Sequence, residues 1–173
     1  NDPYAQMYRF ERASADKPWV TVGRAIPVSL GRTGLAWGRS PLFEEVPASQ
    51  KGPRKREGDG KAPAGLFPLL SAFGHPTAPA GYSTANLPFQ IVDKHQCVDD
   101  GNSPYYNQIV VPSEVGGRTW NSAETMKIEV YKMGLVVGHN CAKAQKGLGS
   151  CIFFHLRSGP KDTTAGCTAM DKA

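Results

Sequence analysis

Apolar residues along this chain recur at every second position or in short runs, and Gly, Pro and Asn interrupt them. Such stretches occupy residues 19–22, 25–30, 65–70, 89–92, 109–111, 128–131, 135–137 and 151–156. A period of two puts alternate side chains on one face of an extended segment, so each stretch predicts a short β-strand. The 3.6-residue period of an amphipathic helix is scarce, with weak candidates only at residues 66–73 and 121–126. The expectation is a mostly-β chain of short, mainly antiparallel strands.

A single domain is expected over residues 1–173, a length that buries a substantial core. With 19 Gly and 14 Pro against 20% charged residues, the chain reads as turn-rich and globular rather than disordered or helical. The net charge of +5 favours approach to any polyanion without choosing among nucleic acid, envelope polymer and anionic membrane. The basic segment KGPRKREGDGK at residues 51–61 has neither interleaved aromatics nor a docking element. It therefore reads as a solvated loop, and nucleic acid is not an expected partner. The segment KHQCVDDGNSPYYN at residues 94–107 reads as a turn in which Asp99 and Asp100 are solvated or cap local N–H groups rather than binding a metal or acting as acid and base, with Tyr105 and Tyr106 packing rather than walling a cleft. No apolar run approaches the roughly 18 residues of a membrane span, so no transmembrane segment is expected. The start at Asn1 rather than Met reads as a trimmed or processed terminus, with a leader peptide removed.

Cys97, Cys141, Cys151 and Cys167 form neither a CxxC pair nor a Cys/His cluster with zinc-finger spacing, so no metal site is expected. One reactive thiol plus one disulfide, with a cysteine left over, suits the count better. The stretch GSCIFFHLRSGPKDTTAGCTAM, residues 149–170, concentrates the candidate chemistry. Its apolar run predicts a buried strand delivering His155 at its end, where the chain turns through Gly159 and Pro160. Cys167 follows His155 by twelve positions, and Thr164, Ala165 and Gly166 make a small-residue turn before it. Such a turn lets backbone N–H groups approach a reacting carbonyl oxygen, and an imidazole that takes the thiol proton turns cysteine into a strong nucleophile. Spacing alone leaves the plainer reading open, in which Cys167 is a small buried hydrophobe and His155 a satisfied core residue.

The same stretch resembles the active-site motif of the L,D-transpeptidases, the YkuD-like family, in which a histidine after a β-strand precedes a Ser/Thr-X-Gly-Cys turn. More closely it resembles a branch ending in GSCIFxH and TAGCTAM, rather than one with a second histidine in SHGC and an arginine two residues after the cysteine. Residues 55–67 (KREGDGKAPAGLF), 97–107 (CVDDGNSPYYN) and 134–140 (GLVVGHN) resemble further family segments in the family's order. The resemblance runs from about residue 51 to the end, is vague over residues 1–50, and implies a chain that continues past Ala173.

This resemblance implies a mixed β-sandwich with its active site in a cleft, in a periplasmic or secreted protein. The substrates implied are peptidoglycan stem tetrapeptides, attacked by the thiolate with release of D-Ala and formation of a thioester. By position Cys167 is the nucleophile and His155 the base. The Gly166 and Cys167 N–H groups form part of the oxyanion pocket, and Thr164 orients the turn or the histidine. Ala165 stands in place of the second histidine and Ala169 in place of the arginine, so Arg157 or Lys161, on the loop between base and nucleophile, is expected to meet substrate carboxylates, with plain surface exposure the alternative for each, and His139 is expected beside the cleft in a structural or substrate-contacting role. The resemblance also implies a disulfide between Cys97 and Cys151, and no cofactor. His75 and His95 receive no role. The alternatives are a stem-peptide hydrolase on the same fold and a non-catalytic wall-binding module; a papain-like protease ranks last because its cysteine precedes its histidine.

Overall fold

A computed structural model describes residues 2–42, 49–77 and 87–172. Its strands are β1 (Tyr4–Glu11), β2 (Val20–Ser29), β3 (Leu35–Trp37), β4 (Ala62–Ala64), β5 (Leu69–Gly74), β6 (Phe89–Ile91), β7 (Gln96–Val98), β8 (Ile109–Val110), β9 (Ala123–Thr125), β10 (Met133–Val137), β11 (Phe153–Leu156) and β12 (Thr168–Met170). Seven of them form one sheet in the order β1-β2-β12-β11-β10-β5-β6, and β8-β7-β9 form a smaller one. The pairs β11–β12, β5–β6 and β3–β4 run parallel and the others antiparallel, so the sheets are mixed. The mostly-β, sandwich-like architecture agrees with the fold class expected from the sequence.

Several elements differ from the sequence pattern. Residues 19–22 and 25–30 fall on one strand, β2, because a bulge interrupts its pairing with β1. Met7 faces Ile26 but Arg9 faces Val22, and Gly23 takes the left-handed φ of 68° there. The pattern did not predict β1, most of whose residues are exposed. Both helix candidates are strands: residues 66–73 hold the start of β5 and residues 121–126 hold β9. Pairing with β10 on one side and β7 on the other supplies hydrogen bonds that outweigh weak local preference. Residues 128–131, expected as a strand, turn as a 3-10 helix over Glu129–Tyr131 that buries the Tyr131 ring.

The core joins the two sheets. Phe73 of β5 and Phe153 of β11 meet edge to face at 5.2 Å, and Tyr131 lies edge-on to both, at 5.9 and 5.5 Å. Met126, Val92, Cys97, Cys151 and Cys167 complete the same cluster. Register then lines up Phe73, Gly134, His155, Ala169 and Ser29 directly across five adjacent strands. Gly134 is needed in that row: a Cβ there would overlap the Phe73 ring and lie 2.8 Å from the Phe154 carbonyl oxygen. A disulfide joins Cys97 on β7 to Cys151 just before β11, which ties the small sheet to the large one.

Candidate active site

The parallel pairing of β11 and β12 sets the site. His155 lies opposite Ala169, and Cys167 is the last residue of the turn that leads into β12. Two side-chain bonds brace that turn: Thr164 Oγ1 donates to the Cys167 carbonyl at 2.6 Å and accepts the Gly166 N–H at 3.1 Å. The Thr164 backbone also bonds to both sides of the β2 end, its N–H to Leu30 O and its carbonyl to the Arg32 N–H. Thr164 therefore orients the turn, and the Gly166 N–H already has an acceptor. Gly166 is buried against residues 51–61, where a Cβ would sit 3.1 Å from the Lys61 carbonyl oxygen. That packing corrects the reading of residues 51–61 as wholly solvated. Lys55 is only 4% exposed, and its ammonium bonds Asp59 at 2.6 Å and the Arg56 carbonyl at 2.7 Å.

Cys167, His155, Thr164, Arg157 and Lys161 line a single cleft of about 510 Å³, together with Ala165, Ala169, Glu124 and Tyr131. His155 Nδ1 lies 2.6 Å from the Leu156 carbonyl oxygen. A carbonyl only accepts, so Nδ1 carries the proton and Nε2 keeps its lone pair. Burial lowers the imidazole's pKa, against the opposing pull of the Leu156 carbonyl, which favours the neutral ring a base needs. The ring's other neighbour is Tyr131, edge-on at 5.2 Å.

The thiol is in a resting arrangement. Cys167 Sγ donates to the Cys151 carbonyl at 3.4 Å and accepts the Phe153 N–H at 3.3 Å, so its partners are backbone groups at the start of the His155 strand and just before it rather than the imidazole itself. Burial, and then the nearby Glu124 carboxylate, push its pKa up to about 12. The carbonyl that receives the thiol proton belongs to a residue in the left-handed region, Cys151 at φ 55°, whose N–H bonds Asn107 Oδ1. Asn107 Nδ2 in turn donates to the His139 and Asn140 carbonyls. The 97–107 and 134–140 segments thus shape the backbone beneath the thiol.

Two substrate-binding expectations change. His139 is 1% exposed and lies away from the cleft, with Nε2 at 2.8 Å from the Leu148 carbonyl and its ring edge-on to Phe67. The chain turns inward after β10, so the ring packs under the 141–149 loop. Arg157 does line the cleft, but its guanidinium is forked onto Asp171 with two 2.7 Å bonds, which neutralises it. Lys161 is exposed on the cleft wall, and its side chain makes no ion pair among the described residues. Tyr105 and Tyr106 pack, the first edge-on to Trp120 and the second donating to Glu57. Asp100 caps the N–H groups of Asn102 and Asn121, as a turn aspartate does.

Sequence reading missed Glu124 and Tyr131. Tyr131 O–H donates to Glu124 Oε2 at 2.6 Å, and burial raises the pKa of both groups. A helix assigned to 121–126 hid the signal, since only in a strand opposite Cys97 does Glu124 face the core side of the small sheet. Among the described residues no group of three or more His, Cys, Asp or Glu is placed to hold a metal ion. Nor is any helix there long and apolar enough to cross a membrane.

Compared with known proteins, the chain has no significant match among curated proteins or solved structures. Against protein families, residues 5–173 match YkuD, the L,D-transpeptidase catalytic domain, so the match includes residues 5–50, where the resemblance was vague. The chain belongs to the YkuD family of L,D-transpeptidase catalytic domains.

Proposed function

We propose that this domain is a cysteine acyltransferase acting on peptidoglycan stem tetrapeptides outside the cytoplasm, with Cys167 as nucleophile and His155 as base. The observation that carries this reading is the meeting of Cys167 and a neutral, Nδ1-anchored His155 in one open cleft of a YkuD-family fold. Rotation of the Cys167 side chain between staggered rotamers takes its S–H from the Cys151 carbonyl toward His155 Nε2. The thiolate attacks the carbonyl after the third stem residue, and the Cys167 N–H receives the developing oxyanion. The C–N bond to D-Ala breaks, the imidazolium gives its proton to the leaving amine, and a thioester on Cys167 remains. Lys161 meets the terminal carboxylate of the donor peptide. An amine acceptor then resolves the thioester to a crosslink, or water resolves it to a tripeptide.

The test is incubation of the purified protein and a Cys167→Ala variant with disaccharide-tetrapeptide muropeptides, followed by liquid chromatography and mass spectrometry. Dimers with loss of D-Ala, absent from the variant, are expected. Tripeptide alone makes the domain an L,D-carboxypeptidase, and no change in tetrapeptides or crosslinked sacculi overturns the enzymatic reading.

A further inference from the structure

We propose that Glu124, held by Tyr131 on the floor of the cleft, is the seat of the acceptor: it binds the primary ammonium of a second stem peptide and takes the proton that frees it to attack. The proposal rests on the acyl-transfer reading above and concerns its second half. Glu124 lies opposite Cys97 in the β7–β9 register, and directly opposed residues project from the same face of a sheet. Cys97 is bridged to Cys151, whose carbonyl accepts the Cys167 S–H. The covalent link therefore holds the Glu124 face of the small sheet against the segment that leads into the His155 strand, and Glu124 opens into the same cleft as Cys167 and His155.

One carboxylate oxygen accepts from Tyr131; the other has no hydrogen bond and no cation among the described residues. Further negative charge surrounds it: Asp99, just after β7, and Glu57 both raise the Glu124 pKa on top of burial. Burial and that negative charge favour the protonated carboxyl, and a cation arriving at the free oxygen favours the carboxylate instead. It is also a handicap to a neighbouring thiolate, since Glu124 helps push the Cys167 thiol up. An arriving ammonium removes that handicap while satisfying the free oxygen. The cleft lining carries both signs, with Lys161 available to an anion and Glu124 to a cation, which matches a donor carboxylate and an acceptor amine.

The step balances. The ammonium gives one proton to the Glu124 carboxylate, and the freed amine attacks the thioester carbonyl to form the C–N bond. The C–S bond breaks with its electron pair going to sulfur, and the second nitrogen proton passes through His155 Nε2 to the departing thiolate. The products are an amide, the Cys167 thiol and a neutral Glu124, which returns its proton to solvent.

The experiment uses a disaccharide-tetrapeptide donor whose side-chain amine is acetylated, so that it cannot accept, and a disaccharide-tripeptide acceptor with a free side-chain amine. Amide and hydrolysed tripeptide are quantified by mass spectrometry for the parent and for Glu124→Gln, whose amide oxygen still accepts from Tyr131. The ratio of amide to hydrolysis is expected to fall about a hundredfold in the variant. An unchanged ratio, including one accompanied by slower thioester formation, overturns the proposal. In the parent protein, an acceptor carrying a trimethylammonium in place of the amine is expected to compete with amide formation, and no competition counts against the site even if the variant fails to fold. If the parent forms no thioester on Cys167, it is the acyl-transfer reading that falls.

Discussion

Reducing the Cys97–Cys151 disulfide should lower the stability of this domain by about 4 kcal/mol. The bond closes a loop with a sequence separation of 54. In the chain-entropy treatment, opening a loop of that length returns about 14 cal/mol/K to the unfolded chain, which is about 4 kcal/mol at 25 °C. Both half-cystines lie in the core between the sheets, so the native state also loses the only covalent tie between β7 and the segment that leads into β11 among the described residues. The assay is equilibrium urea unfolding of oxidised and fully reduced protein, followed by tryptophan fluorescence. With a slope of about 2 kcal/mol/M the midpoint should fall by about 2 M. Hydrogen exchange of the reduced protein should locate the loosening in β7 and β9, and with it Glu124. A midpoint shift below about 0.5 M, corresponding to roughly 1 kcal/mol, would refute the reasoning, because non-covalent packing alone would then hold the small sheet in place.

Two further outcomes follow from the packing. Gly134→Ala puts a methyl into the Phe73 ring and against the Phe154 carbonyl, and should destabilise the domain by about 1–3 kcal/mol while slowing acylation, since Gly134 pairs with His155; differential scanning calorimetry and the muropeptide assay check both effects. Burial pulls the His139 pKa down from 6.5 to about 4, so its neutral form is the native one. The unfolded chain gains that proton as the pH drops below about 6.5, and stability is lost down to about pH 4, by an amount on the order of 3 kcal/mol. Urea midpoints measured across that range should slope less steeply in His139→Gln than in the parent, and equal slopes would contradict the assignment.

The missed features share one origin. β9 and β12 are three residues each, β7 likewise, and none carries enough alternation to be seen by itself. What makes them strands is pairing with partners far along the chain, as when Ala169 meets both His155 and Ser29. His139 lies away from the cleft for a related reason. The end of a strand is visible in a pattern, but whether the chain then turns outward to the cleft or inward beneath a loop is settled by what packs there. Arg157 lines the cleft, yet its charge is matched by Asp171, fourteen residues away on the far side of β12.

What the sequence determined by itself is the local chemistry: the period-two stretches, the strand that delivers His155, and the small-residue turn before Cys167. Each depends on neighbours within a few residues, where sterics and hydrogen bonding act directly on the backbone. Tertiary structure alone decided which distant groups share the cleft. It brought Glu124 and Tyr131 beside Cys167 and His155, directed the resting thiol to the Cys151 carbonyl, and neutralised Arg157. Those outcomes depend on register across sheets and on burial, and burial is a property of the packed whole that no short stretch of residues carries.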